Sequence, residues 1–263
     1  SDHEYGEIIT MSAINEKAVN GTQLQRTHKK IYRHLMPLLI VAYIISFIDR
    51  TNIGMAKATM SVDIGLSATA FGLGAGLFFL TYAVLEIPSN LFLTRIGARR
   101  WIARIMITWA IISGAFMFVT TPTQFYVMRF LLGVAEAGFF PGVVLYLTYW
   151  FPARHRARIN GLFMTSFAIA GAVGGPIAGA IMNGMQDVGH LANWQWLFIL
   201  EGIPSVIAGF FVLAWLPEKP ENAKWLSAAE QRAVTAAVAQ ESQQGHKQHS
   251  FADACRNYRV WLF

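Results

Sequence analysis

The residues of this chain that could do chemistry are charged side chains placed inside apolar stretches. Asp49 and Arg50 lie in the first such stretch, Glu86 in the second, Arg129 and Glu136 in the fourth, and Glu201 in the sixth. Arginine offers a planar fork of donors that grips a carboxylate bidentately and stays charged. A carboxyl withdrawn from water is brought into the range where it gains and loses protons at working pH. Together these groups suit the capture of an organic anion beside a proton-carrying acid. No His-rich, Cys–His or Ser–His–Asp constellation falls in the same stretches, so the pattern implies no enzyme, no cofactor and no metal site.

A charge at the centre of a membrane helix costs about 2.5–3.5 kcal/mol on insertion scales, so such residues tend to be functional or paired. Helix geometry sharpens the grouping. At about 1.5 Å of rise per residue, Arg50 lies roughly 7 Å and Arg129 roughly 10 Å to the outer side of their spans' midpoints, a common depth. Arg129 and Glu136 are seven residues apart, which returns to nearly the same helix face two turns away. No basic residue on its own helix stands one turn from Glu136. The competing reading is a structural ion-pair network, with Asp49 held by Arg50 or Arg129 and Glu136 by a neighbour. Glu86 and Glu201 lie nearer a membrane face, beside Pro88 and Pro204, where hydration or a helix end accounts for them equally well.

The elements that must position these groups are membrane helices. Of 263 residues, 54% are hydrophobic and only 14% charged, against about a quarter charged in a soluble domain. Six segments reach the roughly 20 apolar residues needed to span the hydrocarbon core, over approximately 34–56, 69–93, 101–120, 124–148, 160–182 and 194–217. The net charge of +6 is spread in short runs between these segments rather than along one face, which argues against nucleic acid. The first apolar stretch is too long for a secretory signal and is followed by no cleavage site. The one cysteine, Cys255, permits no internal disulfide.

Orientation follows from the Lys and Arg in the connections. Basic residues cluster before the first span, around 94–104, around 150–159 and after the sixth span, while the alternate connections hold only Lys57. This places the N-terminus, both basic turns and the tail from Pro217 in the cytoplasm. The expected organisation is a cytoplasmic tail over 1–33, a six-helix bundle over 34–217, a cytoplasmic linker over 218–256, and the start of a truncated seventh span over 257–263. Within the linker, Ser227 and Glu230 form a capping box opening an amphipathic helix to about Gln240. Gly72 and Gly76 in the second span, and Gly171, Gly175 and Gly179 in the fifth, have the small-xxx-small spacing of close-packing faces. If spans one to three and four to six are two repeats, the first member of each carries an acid and an Arg, the placement expected of a site at a repeat interface.

Four stretches carry a resemblance. They are Phe47-Ile-Asp-Arg-Thr-Asn-Ile-Gly54, Tyr82-Ala-Val-Leu-Glu-Ile-Pro-Ser-Asn90, Arg129-Phe-Leu-Leu-Gly-Val-Ala-Glu-Ala-Gly-Phe-Phe-Pro-Gly142 and Trp196-Leu-Phe-Ile-Leu-Glu-Gly-Ile-Pro204. Over about residues 30–263 the chain resembles the anion:cation symporter family of the major facilitator superfamily. Its bacterial members look like permeases for sugar acids, tartrate, phthalate and hydroxyphenylacetate, and its animal relatives include vesicular glutamate transporters and sialin. The resemblance implies an all-α membrane protein, the N-terminal half of a major facilitator fold built as 3+3 inverted repeats. It implies that Arg50 and Arg129 bind the substrate carboxylate, that Asp49 and Glu136 carry the coupling proton, and that Tyr43 and Tyr82 line the pocket. The partners implied are a small organic carboxylate, protons, the lipid bilayer and the missing C-terminal half. The location implied is a bacterial inner membrane, crossed several times. Exchange of organic anions, and a non-transporting sensor or assembly subunit, remain the alternatives. At the superfamily's cytoplasmic turn signature, Asn90 stands in place of a Gly and Thr94 in place of an Asp, while Arg95, Gly97 and Arg99 remain.

Overall fold

Among the described residues six helical spans are long and apolar enough to cross a membrane, over Gly21–Asp63, Ala68–Ile96, Ala98–Phe118, Pro122–Thr148, His155–Gly184 and Asn193–Trp215. They coincide with the six expected segments, because each run of apolar residues is bounded by a polar or turn-forming stretch. The computed structural model describes the backbone of residues 2–248 and the side chains of residues 21–153 and 155–241. The expected seventh span and Cys255 lie outside the described residues. In chain order the α-helices are α1 (Asp2–Asp63), α2 (Ala68–Ile96), α3 (Ala98–Ala115), α4 (Pro122–Glu136), α5 (Phe139–Thr148), α6 (Ala153–Gly184), α7 (Asn193–Trp215) and α8 (Ala228–Gln248). Among the described residues there is no strand. Pro37, Pro88, Pro176 and Pro204 sit inside helices, as membrane helices tolerate when neighbours satisfy the freed carbonyls.

The fourth span is two helices rather than one. α4 ends at Glu136, Ala137 turns to φ −55° and ψ 128°, and Gly138 takes φ +84°, a conformation that glycine adopts without steric penalty. The break leaves the Ala137 carbonyl free of the helix ladder. Ser89 Oγ of α2 donates to it at 2.6 Å and accepts from the Trp101 indole at 3.0 Å, so the buried polar group stays satisfied.

The chain divides into two compact units. One comprises Leu35–Tyr146 and Arg158–Glu218. Within it α3 packs chiefly on α7 and α2 on α4. Glycines permit the closest approaches. A Cβ at Gly133 would stand 2.7 Å from the Phe78 carbonyl, and one at Gly209 2.7 Å from Ile107. Among the described residues the expected close-packing faces meet no neighbour, since nothing lies within 4 Å of a Cβ at Gly72, Gly76, Gly171, Gly175 or Gly179, whereas Gly74 abuts Phe125 and Gly174 abuts Ile48. A spacing of four identifies a stripe of small residues but not which stripe meets a neighbour, and the contact stripe of α2 lies two residues, about 200°, from the expected one.

This unit also contains the turn where Thr94 replaces an acid. Thr94 Oγ1 bonds back to the Leu91 carbonyl. Arg99 finds its carboxylate elsewhere, in Glu218 beyond α7: its backbone N–H donates to Oε1 at 3.3 Å, and its guanidinium Nε forms an ion pair with Oε2 at 3.8 Å.

The other unit comprises Ser1–His34, Leu147–Ala157 and Lys219–Phe263. At the start of α8 the Ser227 and Glu230 side chains cap each other's backbone N–H groups at 3.2 and 2.8 Å. Lys30 pairs with Glu230 at 3.1 Å. The Ser227 backbone N–H first, and Lys30 after it, hold the Glu230 carboxyl below its ordinary range. The indole of Trp225 stacks on His34 with centroids 4.3 Å apart.

Candidate functional site

The helix bearing Asp49 and Arg50 turns about 100° between them, so the two side chains leave α1 in different directions. Arg50 reaches α4, where both its Nε (3.1 Å) and Nη2 (2.8 Å) donate to a single oxygen, Glu136 Oε2. The basic partner of Glu136, not found on its own helix, therefore comes from α1. Glu136 is 1% exposed, and its other oxygen, Oε1, is buried with no hydrogen-bond partner. The guanidinium of Arg50 also lies 5.0 Å over the Tyr82 ring and 5.9 Å from the centre of Phe78.

Arg129 shares that aromatic floor. Its guanidinium carbon is 4.5 Å over Phe78, and Nε donates to the Gly74 carbonyl at 3.4 Å. The side chain is 4% exposed. Among the described residues Arg129 makes no ion pair, in contrast to Arg50. The two arginines thus flank one phenylalanine ring, at the common depth that helix rise predicts. Phe78 is held there by the close approach of α2 and α4 at Gly133. Its role was not visible in the sequence, where it is one of 19 phenylalanines; only its place four residues before Tyr82, on the same helix face, could have signalled it. Cation–π contact adds about 0.5–2 kcal/mol where the cation is desolvated, enough to orient each guanidinium but not to neutralise it.

The remaining expected residues divide. Tyr82 belongs to the arginine cluster. Tyr43 sits with Phe140 (5.7 Å) and Phe163 (5.3 Å) in an aromatic group, two helical turns from Arg50. Asp49 pairs with neither arginine. Its Oδ1 accepts from Ser113 Oγ at 2.9 Å and Asn52 Nδ2 at 3.3 Å, on the side of α1 that faces α3.

The sequence carries the pattern of the Major Facilitator Superfamily over residues 39–263. This chain belongs to the Major Facilitator Superfamily. Among curated relatives, a protein of Agrobacterium vitis provisionally named as a tartrate transporter is 48% identical over 243 residues, covering 92% of this chain and 56% of the relative. The Escherichia coli inner membrane transport protein RhmT is 42% identical over 233 residues, covering 89% of this chain and 54% of the relative. The Acinetobacter baumannii quinolone resistance transporter is 47% identical over 193 residues, 73% of this chain and 44% of the relative. These superfamily relatives are named as transporters, not as enzymes. The chain spans about half the length of the curated relatives it matches. A solved bacterial homologue of the lysosomal transporter Spinster, in an inward-facing occupied conformation, aligns with a TM-score of 0.62 at 22% identity, covering 75% of this chain and 46% of that one. That likeness shows the all-helical major facilitator fold.

Proposed function

We propose that the chain contributes the anion-binding and proton-coupling wall of a secondary transporter that moves a small organic carboxylate together with a proton by alternating access. The observation that carries this reading is Arg129, a buried cation with no carboxylate partner among the described residues. A charge withdrawn from water without a counter-ion is costly, so the site favours an anion brought in from outside. Counting Arg50, Arg129 and Glu136 as charged leaves a net +1, the complement of one carboxylate. Protonating Glu136 raises this to +2, the complement of a dicarboxylate, a class that the name of the Agrobacterium vitis relative also suggests.

The Arg50–Glu136 pair supplies the coupling logic. While Glu136 is ionised, it occupies the fork of Arg50. A proton arriving at the bare Oε1 weakens that pair and frees Arg50 to turn with Arg129 onto the substrate. Proton and anion then load together, and loss of the proton from Glu136 restores the ion pair and displaces the anion from Arg50. Asp49 is the second proton carrier in this reading. The break after Glu136 gives the acid a backbone joint at which to move. We place the opposite wall of the pathway in a second helical half, the tail from residue 218 to 256 in the connector between halves, and the whole in a bacterial inner membrane with the N-terminus in the cytoplasm.

The test is Glu136→Gln in the complete transporter reconstituted in proteoliposomes. Gradient-driven accumulation of the carboxylate should be abolished while equilibrium binding of it persists. Accumulation at the wild-type rate would make the Arg50–Glu136 pair a structural bridge.

A further inference from the structure

On the α3-facing side of α1, Asp49 meets a second acid that no motif assigns. Asp49 is 3% exposed and Glu201 of α7 is 6% exposed. Asp49 Oδ2 and both Glu201 carboxyl oxygens are buried with no hydrogen-bond partner. The charge of Glu201 reaches Asp49, and Asn52, which donates to Asp49 Oδ1 at 3.3 Å, lies near enough to act on Glu201 as well. The backbone brings them together: a Cβ at Gly202 would lie 3.3 Å from the Ala110 carbonyl and 3.8 Å from the Gly114 nitrogen. Glu201 therefore enters at the level of Ser113, the residue that bonds Asp49. Ser205, one turn further along α7 and fully buried, also leaves its hydroxyl unpartnered.

We propose that Asp49 and Glu201 form a second proton site, separate from the arginine cluster, in which the two carboxyls share one proton. This rests on the reading of Asp49 as a proton carrier and extends it to Glu201. The groups facing the pair are neutral or acidic: Ser113 from α3, Asn52 from α1, and Glu136, which acts on Asp49 from α4. Among the described residues, no Lys, Arg or His makes an ion pair with either acid, and the nearby Arg50 is committed to Glu136. Two adjacent buried carboxylates cannot both stay ionised without a counter-charge. The two neutral donors that bond the pair, Ser113 and Asn52, converge on one oxygen, Asp49 Oδ1, leaving three oxygens without a hydrogen bond. One proton supplies the missing donor, since a protonated carboxyl donates to its ionised partner, and the pair then titrates as a unit.

The test is infrared spectroscopy of the carboxylic-acid C=O band of the complete transporter in liposomes, titrated with pH. A Glu136→Gln background removes the arginine-paired acid from the spectrum. It also separates this outcome from transport, because the band is read without substrate or gradient. One band accounting for one proton is expected, indifferent to Na+ in place of K+. In that background Glu201→Gln should move the band's pH midpoint down by about one unit, tenfold in proton affinity, as removal of a like charge requires. Glu201→Asp should largely keep the single-proton band. If Glu201→Gln does not fold, Ser113→Ala should shift the same band's frequency by removing a donor from Asp49. A midpoint unmoved by Glu201→Gln, two independently titrating protons, or a band displaced by Na+ would overturn the shared proton.

Discussion

The side of α1 that carries Arg50 and the side that carries Asp49 are built from adjacent residues yet hold opposite chemistry. Around Arg50 two guanidinium groups and one carboxylate gather on an aromatic floor, with positive charge in excess. Around Asp49 two carboxyls gather with a serine and an asparagine, and no cation among the described residues pairs with them. On the proposed reading the first arrangement attracts an anion and the second a proton. The difference teaches that a helix can separate two ligands by rotation alone, about 100° per residue. It also shows why the two sites can communicate. Glu136 belongs to the arginine side by its ion pair, but its charge reaches Asp49 as well.

The largest expected effect concerns which face of the membrane each side opens toward. The basic connections imply that a cysteine placed at Ser61 or Asn183 is labelled from outside by an impermeant thiol reagent in intact cells, and that one at Ala153 is not. The readout is all-or-none. The opposite pattern would put Arg50 and Arg129 toward the cytoplasm and reverse the order in which anion and proton arrive.

The next effect separates the two arginines. Arg129→Lys and Arg50→Lys keep the charge and lose the bidentate fork. Charge-assisted hydrogen bonds are worth about 1.5–3 kcal/mol each, or roughly 10- to 150-fold in affinity at 1.4 kcal/mol per decade. Calorimetry on folded protein should show this loss for the carboxylate substrate and little change for its uncharged amide. The loss should be larger at Arg129, which has no internal carboxylate, than at Arg50, which already shares its fork with Glu136. Equal affinity of wild type and both variants would remove the anion from this side and leave the comparison without one of its terms.

How much of this was legible beforehand depends on the kind of information needed. The six spans were, because length and apolar content alone decide whether a helix can cross a bilayer. So was the grouping of Arg50, Arg129 and Glu136, because helix rise and period fix depth and face. What occupies the space opposite each face was not. The sequence offered Asp49 an arginine as a structural partner, and the structure gives it Ser113 and Asn52. It treated Glu201 as a residue near a membrane face, although Gly202 beside it lets α7 touch the α3 backbone. The interruption after Glu136 was hidden too, since its sequence sign is a Gly–Phe–Phe–Pro run that an unbroken membrane helix also tolerates.

The smallest effects come from a matched pair of serines, one on each side. Ser89 donates to the Ala137 carbonyl at 2.6 Å, and Ser113 to Asp49 Oδ1 at 2.9 Å. Both bonds are buried. Removing a donor from a buried acceptor costs about 1–3 kcal/mol, so Ser89→Ala and Ser113→Ala should lower the thermal unfolding midpoint by comparable amounts. Their other consequences should differ. Ser89 holds the break that follows Glu136, so Ser89→Ala should slow gradient-driven uptake and leave the Asp49 infrared band in place. Ser113→Ala should move that band and leave carboxylate affinity at the arginines within about twofold, since Ser113 bonds none of Arg50, Arg129 and Glu136 and sites without shared partners add nearly independently. If both variants changed both readouts alike, the two sides of α1 would be one polar network, and the separation by helix rotation would fail.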